Sequence, residues 1–124
     1  MTESKHHEVV VIGAGVCGIY QLYRLLELGI DATVLEAGSD LGGTWYWNRY
    51  PGARFDSESH SYSYSFSEEL LQEWDWSEYF AGQPETLRYL GYVADKFNLR
   101  EHMQFDCRVK SAVFDESRSV WKIS

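Results

Sequence analysis

Four apolar residues, Val9 to Ile12, run straight into Gly13-Ala14-Gly15-Val16-Cys17-Gly18. A short unbroken apolar run predicts a strand buried on both faces, as at the centre of a parallel sheet. The glycines stand at G-x-G-x-x-G spacing, and helical periodicity begins within them. Val16, Ile19, Tyr20, Tyr23 and Leu26 repeat at i, i+3, i+4, and Leu22 and Leu25 widen the stripe. A helix over about Val16 to Leu28 follows, with Gly29 as its stop. Ala32 to Glu36 then predicts a second strand. The unit of roughly thirty residues has the length of a βαβ crossover, whose right-handed form makes the two strands parallel. The chain is therefore an α/β protein, and the free N–H groups at the start of its first helix make a seat for an anion.

A lone G-x-G-x-x-G is weak, because a glycine turn can serve only to let helix and strand pack closely. Here the motif follows a strand, opens a helix, and has Glu36 at the end of the second strand, where a ribose hydroxyl would be held. That combination points to a dinucleotide. A carboxylate accepts from a ribose diol and repels a 2′-phosphate, so the seat suits FAD or NAD rather than NADP. Leu41-Gly42-Gly43-Thr44-Trp45 adds a second glycine pair. It would let backbone approach the middle of a long ligand, which favours FAD.

Beyond it, Ala37 to Ser67 has no clean period. Its aromatics argue for an ordered binding segment, since a loop this long in a compact domain is usually functional or disordered. Ser61 to Phe66 alternates serine with aromatic residues and predicts a short strand or an extended piece over a ligand. Glu68 to Trp76 predicts a short helix or turn. Gln83-Pro84 opens a further helix with the stripe Leu87, Leu90, Val93 or Ala94, and Phe97, ending at Asn98. Met103 to Asp106 fits a third parallel strand. Val109 to Phe114 and Val120 to Ile123 flank a hairpin turn.

Composition removes several function classes. The net charge of −8 leaves no basic patch for nucleic-acid phosphates or an anionic membrane surface. No apolar stretch would span a bilayer, and Met1 to Glu8 is polar with no signal-like core. Cys17 and Cys107 stand apart with no C-x-x-C partner, which suggests a reducing, cytoplasmic setting and no metal. His6 and His7 are best taken as part of a polar terminus.

The run Gly42-Gly43-Thr44-Trp45-Tyr46-Trp47-Asn48-Arg49-Tyr50-Pro51-Gly52-Ala53-Arg54-Phe55-Asp56 resembles the N-terminal signature of Baeyer–Villiger monooxygenases. Every position of that pattern is met: Gly-Gly-x-Trp, four residues, Tyr or Phe, Pro, Gly or Met, three residues, Asp. The similarity extends through Tyr62 to Ser67, Gln72-Glu73-Trp74 and Val93 to Phe97, and looks closest to the phenylacetone and steroid monooxygenase branch. It implies the Rossmann-like FAD-binding segment of a two-dinucleotide-binding-domain flavoprotein, with parallel strands plus a C-terminal β-hairpin, and incomplete. Residues 1–8 would be a polar N-terminus and 9–124 the first part of the FAD domain. The NADPH domain would lie outside, as no second G-x-G-x-x-G occurs.

The resemblance also implies roles. Gly13, Gly15, Cys17 and Gly18 would hold the FAD pyrophosphate and Glu36 the adenosine ribose. Gly43, Thr44, Trp45 and Trp47 would line the flavin side. Asp56 would sit by the isoalloxazine next to the nicotinamide of NADPH, orienting a cation, with Arg54 and Phe55 on the same approach. Tyr62 would contact the flavin region, and the Val109 backbone the adenine. The reaction would insert one oxygen of O2 into a ketone to give an ester or lactone, in a dry, aromatic-walled site. The partners would be ketone and O2, with no nucleic acid or membrane, and the complementary part of the enzyme. Plainer roles exist for the same residues: a turn-capping carboxylate for Asp56, a surface salt bridge for Arg54, and core filling for aromatics such as Trp74 and Trp76. The competing function is a non-catalytic nucleotide-binding or assembly module working with another chain. A reductase of the same fold would leave Trp45 to Asp56 without a purpose.

Overall fold

The computed structural model describes residues 4–124. The apolar run forms β1 (Val9–Ile12), and the glycine turn leads into α1 (Val16–Glu27). Helix α1 buries Gly18, Ile19, Leu22 and Leu25, the inner face of the expected stripe. It ends at Gly29, whose φ of 74° is the left-handed geometry a glycine stop supplies. Next comes β2 (Ala32–Leu35), parallel to β1 with Val9 opposite Ala32 and Ile12 opposite Leu35. A short β3 (Met103–Gln104) pairs in parallel on the other side of β2, Val34 opposite Met103.

The order β1-β2-β3 corrects one expectation. The central strand is β2, buried at Ala32, Thr33 and Val34, whereas β1 lies at an edge, is only half-buried, and leaves Ile12 60% exposed. An apolar run reports what a strand can bury, not which neighbours cover it. Among the described residues nothing pairs with the outer side of β1.

The long loop holds two single-turn helices, α2 (Thr44–Trp47) and α3 (Ser59–Tyr62). The second takes up Ser61 and Tyr62 and removes the short-strand alternative for Ser61 to Phe66, while Ser63 beyond it is extended. Alternation there gives way to side-chain anchoring. Ser59 Oγ donates to the carbonyls of Glu78 and Tyr79 and accepts from the Ala81 N–H. These bonds anchor the start of α3 to the 78–81 stretch, and Tyr64 N–H donates to the Tyr89 hydroxyl in place of a ladder partner.

The next elements are α4 (Glu68–Glu73), capped by the Ser67 hydroxyl, and α5 (Gln83–Lys96) with its proline in the first turn. Helix α5 buries Thr86, Tyr89, Leu90, Val93 and Ala94, a stripe that includes a tyrosine the leucine pattern did not mark. Asn98 follows at φ 54°, as expected of a left-handed stop. One core joins Ile19, Leu22, Val34, Leu41, Leu70, Leu90 and Leu99 with Trp45 and Phe55. No helix among the described residues is long and apolar enough to cross a membrane. Strands β4 (Ala112–Asp115) and β5 (Val120–Ile123) form the antiparallel hairpin, with Val113, Phe114 and Trp121 exposed on it.

Candidate nucleotide site

The site is built from backbone before side chains. Gly13 has φ 99°, and its N–H donates to Leu35 C=O at 2.9 Å, which closes the turn onto β2. Gly18 sits against that turn: a Cβ there would lie 1.9 Å from the Gly13 carbonyl oxygen. The third glycine of the motif is thus a packing requirement, and it brings the start of α1 onto the end of β1. The first bonded amide at this end is that of Ile19, to Gly15 C=O at 3.0 Å. The N–H groups of Val16, Cys17 and Gly18 precede it as the unpaired donors of a helix start. A Cβ on Gly13 would meet nothing within 4 Å, so the turn is open on that side.

The second glycine pair abuts the first. Gly42 N–H donates to Ala14 C=O at 2.9 Å. Gly43, at φ 54°, would place a Cβ 2.8 Å from Gly15 Cα. Glycine at position 43 is what allows two turns from distant parts of the chain to touch backbone to backbone. Together they form one continuous floor that leads from the N-terminus of α1 to the first residue of α2, Thr44, which is exposed.

Glu36 lies beside this floor and is 5% exposed. Its carboxylate accepts from Ala14 N–H at 2.7 Å and from Gly38 N–H at 2.8 Å. After β3, Asp106 and Cys107 donate N–H to the carbonyls of Gly38 and Glu36, and the segment that carries Val109 continues from there. The expected pyrophosphate and ribose residues, Gly13, Gly15, Cys17, Gly18, Gly43 and Glu36, are brought together.

The aromatic residues expected along the flavin and its approach divide into buried and exposed. Trp45 and Phe55 are 6% and 5% exposed, and they belong to the core. Phe55 stacks on Tyr62 at 4.3 Å and 8°, and Trp45 stands edge-on to both rings at 5.8 Å. The Trp45 indole N–H donates to the Tyr62 hydroxyl at 2.9 Å. This trio is a rigid backing behind the glycine floor, with its faces spent on one another. Trp47, by contrast, is 58% exposed. Trp76 packs edge-on to Phe55 and donates to Ser63, the core role foreseen for it.

Arg54 makes the plainer contact: it donates to the Glu78 carboxylate at 3.0 Å and the Phe80 carbonyl at 2.8 Å. Asp56 is exposed, two residues beyond it. The Arg54–Gly82 bridge and the Gln83 N–H to Ala53 C=O bond tie this stretch to the start of α5.

Two positioning residues gave no sequence signal. Gln83 is 8% exposed, and its amide donates to Trp45 C=O, so one residue holds both the second glycine turn and the Ala53–Asp56 stretch. A glutamine before a proline reads as solvent-facing. Tyr64 donates its hydroxyl to Val16 C=O. Burial pushes that hydroxyl far above the usual tyrosine range, so it stays a donor and pins the first turn of α1.

The floor fits a dinucleotide: the unpaired N–H groups of a helix start, an open side at Gly13, and a carboxylate with lone pairs to spare. Residues 11–75 match the family profile of the NAD(P)-binding Rossmann-like domain. A Baeyer–Villiger monooxygenase of Pseudooceanicola batsensis is 44% identical over 94% of this chain and 22% of its own length. The structure of oxidized steroid monooxygenase bound to NADP superimposes with TM-score 0.93 at 56% identity, covering 94% of this chain and 22% of that one. OTEMO in complex with FAD and NADP gives TM-score 0.91 at 47% identity, over 98% and 23% of the two chains. The chain spans about a fifth of the length of the proteins it matches.

Proposed function

The chain belongs to the family of NAD(P)-binding Rossmann-like domains, and from that premise we propose that residues 9–124 form part of the FAD-binding domain of an NADPH-dependent Baeyer–Villiger monooxygenase. The observation that carries the proposal is the backbone contact of Gly15 with Gly43, which joins an anion seat to a second turn. A mononucleotide would need only the first turn. A ligand that continues past its pyrophosphate needs both.

In this role the N–H groups around Gly13, Gly15, Cys17 and Gly18 bind the pyrophosphate, and Glu36 accepts from the adenosine ribose. The Val109 backbone lies toward the adenine. Gly43 and Thr44 carry the ligand onward, and exposed Trp47 shields its far end from water. Trp45, Phe55 and Tyr62 back that region as a stiff wall, so the floor does not yield when the ligand seats. Exposed Asp56 orients a cation supplied by another part of the enzyme, and Arg54 keeps the Asp56 stretch in place. When bound, the flavin supplies the chemistry by which one oxygen of O2 enters a ketone, and NADPH supplies the hydride. Two free cysteines, Cys17 and Cys107, suit a reducing cytoplasmic setting.

The test is flavin absorbance and NADPH-dependent ester formation from a ketone. In the complete polypeptide, Gly15→Val is expected to lower flavin occupancy, because the valine branches add to a Cβ that already stands 3.4 Å from Gly43 Cα. Residues 9–124 alone are expected to form no ester. A folded Gly15→Val protein with full flavin would overturn the assignment, and an ester from the piece alone would overturn its dependence on the rest of the enzyme.

A further inference from the structure

Burying an ionised carboxylate is costly unless it is compensated, and the usual compensation is a cation. Glu36 has none among the described residues. Its two oxygens are instead taken by two backbone amides, at 2.7 Å from Ala14 and 2.8 Å from Gly38. Ala14 is itself fully buried. Its N–H points to Glu36 and its carbonyl accepts from Gly42 N–H. The carboxylate is therefore the first link of a relay. It fixes Ala14, Ala14 fixes Gly42, and Gly43 then rests on Gly15. Through Gly38 it also fixes the turn that leaves β2, against which the Tyr46 ring lies: a Cβ on Gly38 would come within 2.6 Å of it.

We infer that Glu36 is a positioning residue that assembles both glycine turns before any nucleotide arrives, in addition to accepting from the ribose. This presupposes that the turns receive the dinucleotide proposed above. The two roles do not compete, since each carboxylate oxygen has a second acceptor site. The residue thus sets specificity twice. A cation at this position would favour a 2′-phosphate, yet it would leave two buried amides facing a positive charge and loosen the floor on which any nucleotide must lie.

Glu36→Gln separates the roles. A glutamine still hydrogen-bonds a ribose hydroxyl, which can donate or accept. Whichever way its amide is turned, however, its NH2 faces one of the two N–H groups. The experiment uses the complete polypeptide and has two arms. In the flavin-free form, amide exchange followed by mass spectrometry should speed up about tenfold at the segments holding Ala14 and Gly38, the scale of one lost charge-assisted bond, and stay unchanged in α5. In titrations, the variant should weaken FAD and FAD lacking the adenosine 2′- and 3′-hydroxyls by the same factor. Wild-type exchange rates at Ala14 and Gly38, with a loss confined to the hydroxylated FAD, would reduce Glu36 to a ribose acceptor and overturn the inference. Faster exchange throughout, α5 included, would also overturn it, because Glu36 would then be a general stabiliser. If the variant does not fold, the wild type alone decides: fast exchange of Ala14 and Gly38 amides without flavin refutes a preformed clamp. Faster local exchange in Glu36→Gln together with no FAD binding by the wild type would uphold the clamp and refute the nucleotide assignment.

Discussion

Replacing Gly18 by alanine adds one methyl group at a place where no atom can move aside. The new Cβ would stand 1.9 Å from the Gly13 carbonyl oxygen, and Cβ atoms essentially never come within 3.0 Å of a neighbour. The helix and turn must separate by at least 3.0 − 1.9 = 1.1 Å. That displacement lifts Ile19 and Leu22, both fully buried, off β1 and β2. Overpacking typically costs about 1–3 kcal/mol, and backbone meeting backbone belongs at the upper end. With an unfolding entropy of about 2.1 cal/mol/K per residue, 124 residues give roughly 260 cal/mol/K, so ~3 kcal/mol lowers the melting temperature by roughly 11 °C. Gly91→Ala is the matched control. Its Cβ would meet only the tip of the Arg100 side chain, at 3.3 Å, and it lies inside α5, where alanine gains up to about 1 kcal/mol over glycine. Thermal melts by far-UV circular dichroism should show the same chemical change with opposite sign at the two sites. A Gly18→Ala protein melting within about 2 °C of wild type would refute the close-approach argument.

Two further outcomes follow from the side chains that hold the site. Gln83→Leu leaves the Trp45 carbonyl without its buried donor and should cost about 1–3 kcal/mol in urea unfolding; a loss below ~0.5 kcal/mol would show that water replaces the amide. Arg54→Gln removes a half-exposed ion pair with Glu78 and should cost under about 1 kcal/mol, while NADPH consumption by the complete polypeptide falls. Unchanged consumption would leave Arg54 with only its surface contact.

The legible parts of this chain were those where local chemistry and tertiary structure agree. The β1–turn–α1–β2 unit could be read because each glycine, apolar position and stop has one purpose. The hairpin and the start of α5 were legible for the same reason. The misreadings lie where distant residues decide. Alternation at Ser61 to Phe66 carries the period of a strand, but Tyr89 takes up the Tyr64 N–H from the side, Ser61 and Tyr62 close a helical turn, and 63–66 run on without a strand partner. The edge position of β1 depends on its neighbours in the sheet, which its own residues do not encode. Trp45, Phe55 and Tyr62 were expected along the flavin and its approach, and their packing on one another was not legible: three rings can face a ligand or one another with equal sequence support. Gln83 gave no signal because its value lies in two carbonyls, at Ala53 and Trp45, that only the fold brings within reach.

The contact between Gly15 and Gly43 contains no side chain. Most joints in a protein can be retuned by exchanging one residue for another of slightly different size, and a change on one side can be answered on the other. This joint offers nothing to exchange, and an addition at Gly43 wedges it apart. Selection acting on such a protein can adjust what surrounds the floor, at Trp47 or along Arg49 to Asp56, but not the floor itself. Variation in descendants of this chain should therefore gather around an unaltered seat, and drift at Gly43 should be lost rather than compensated.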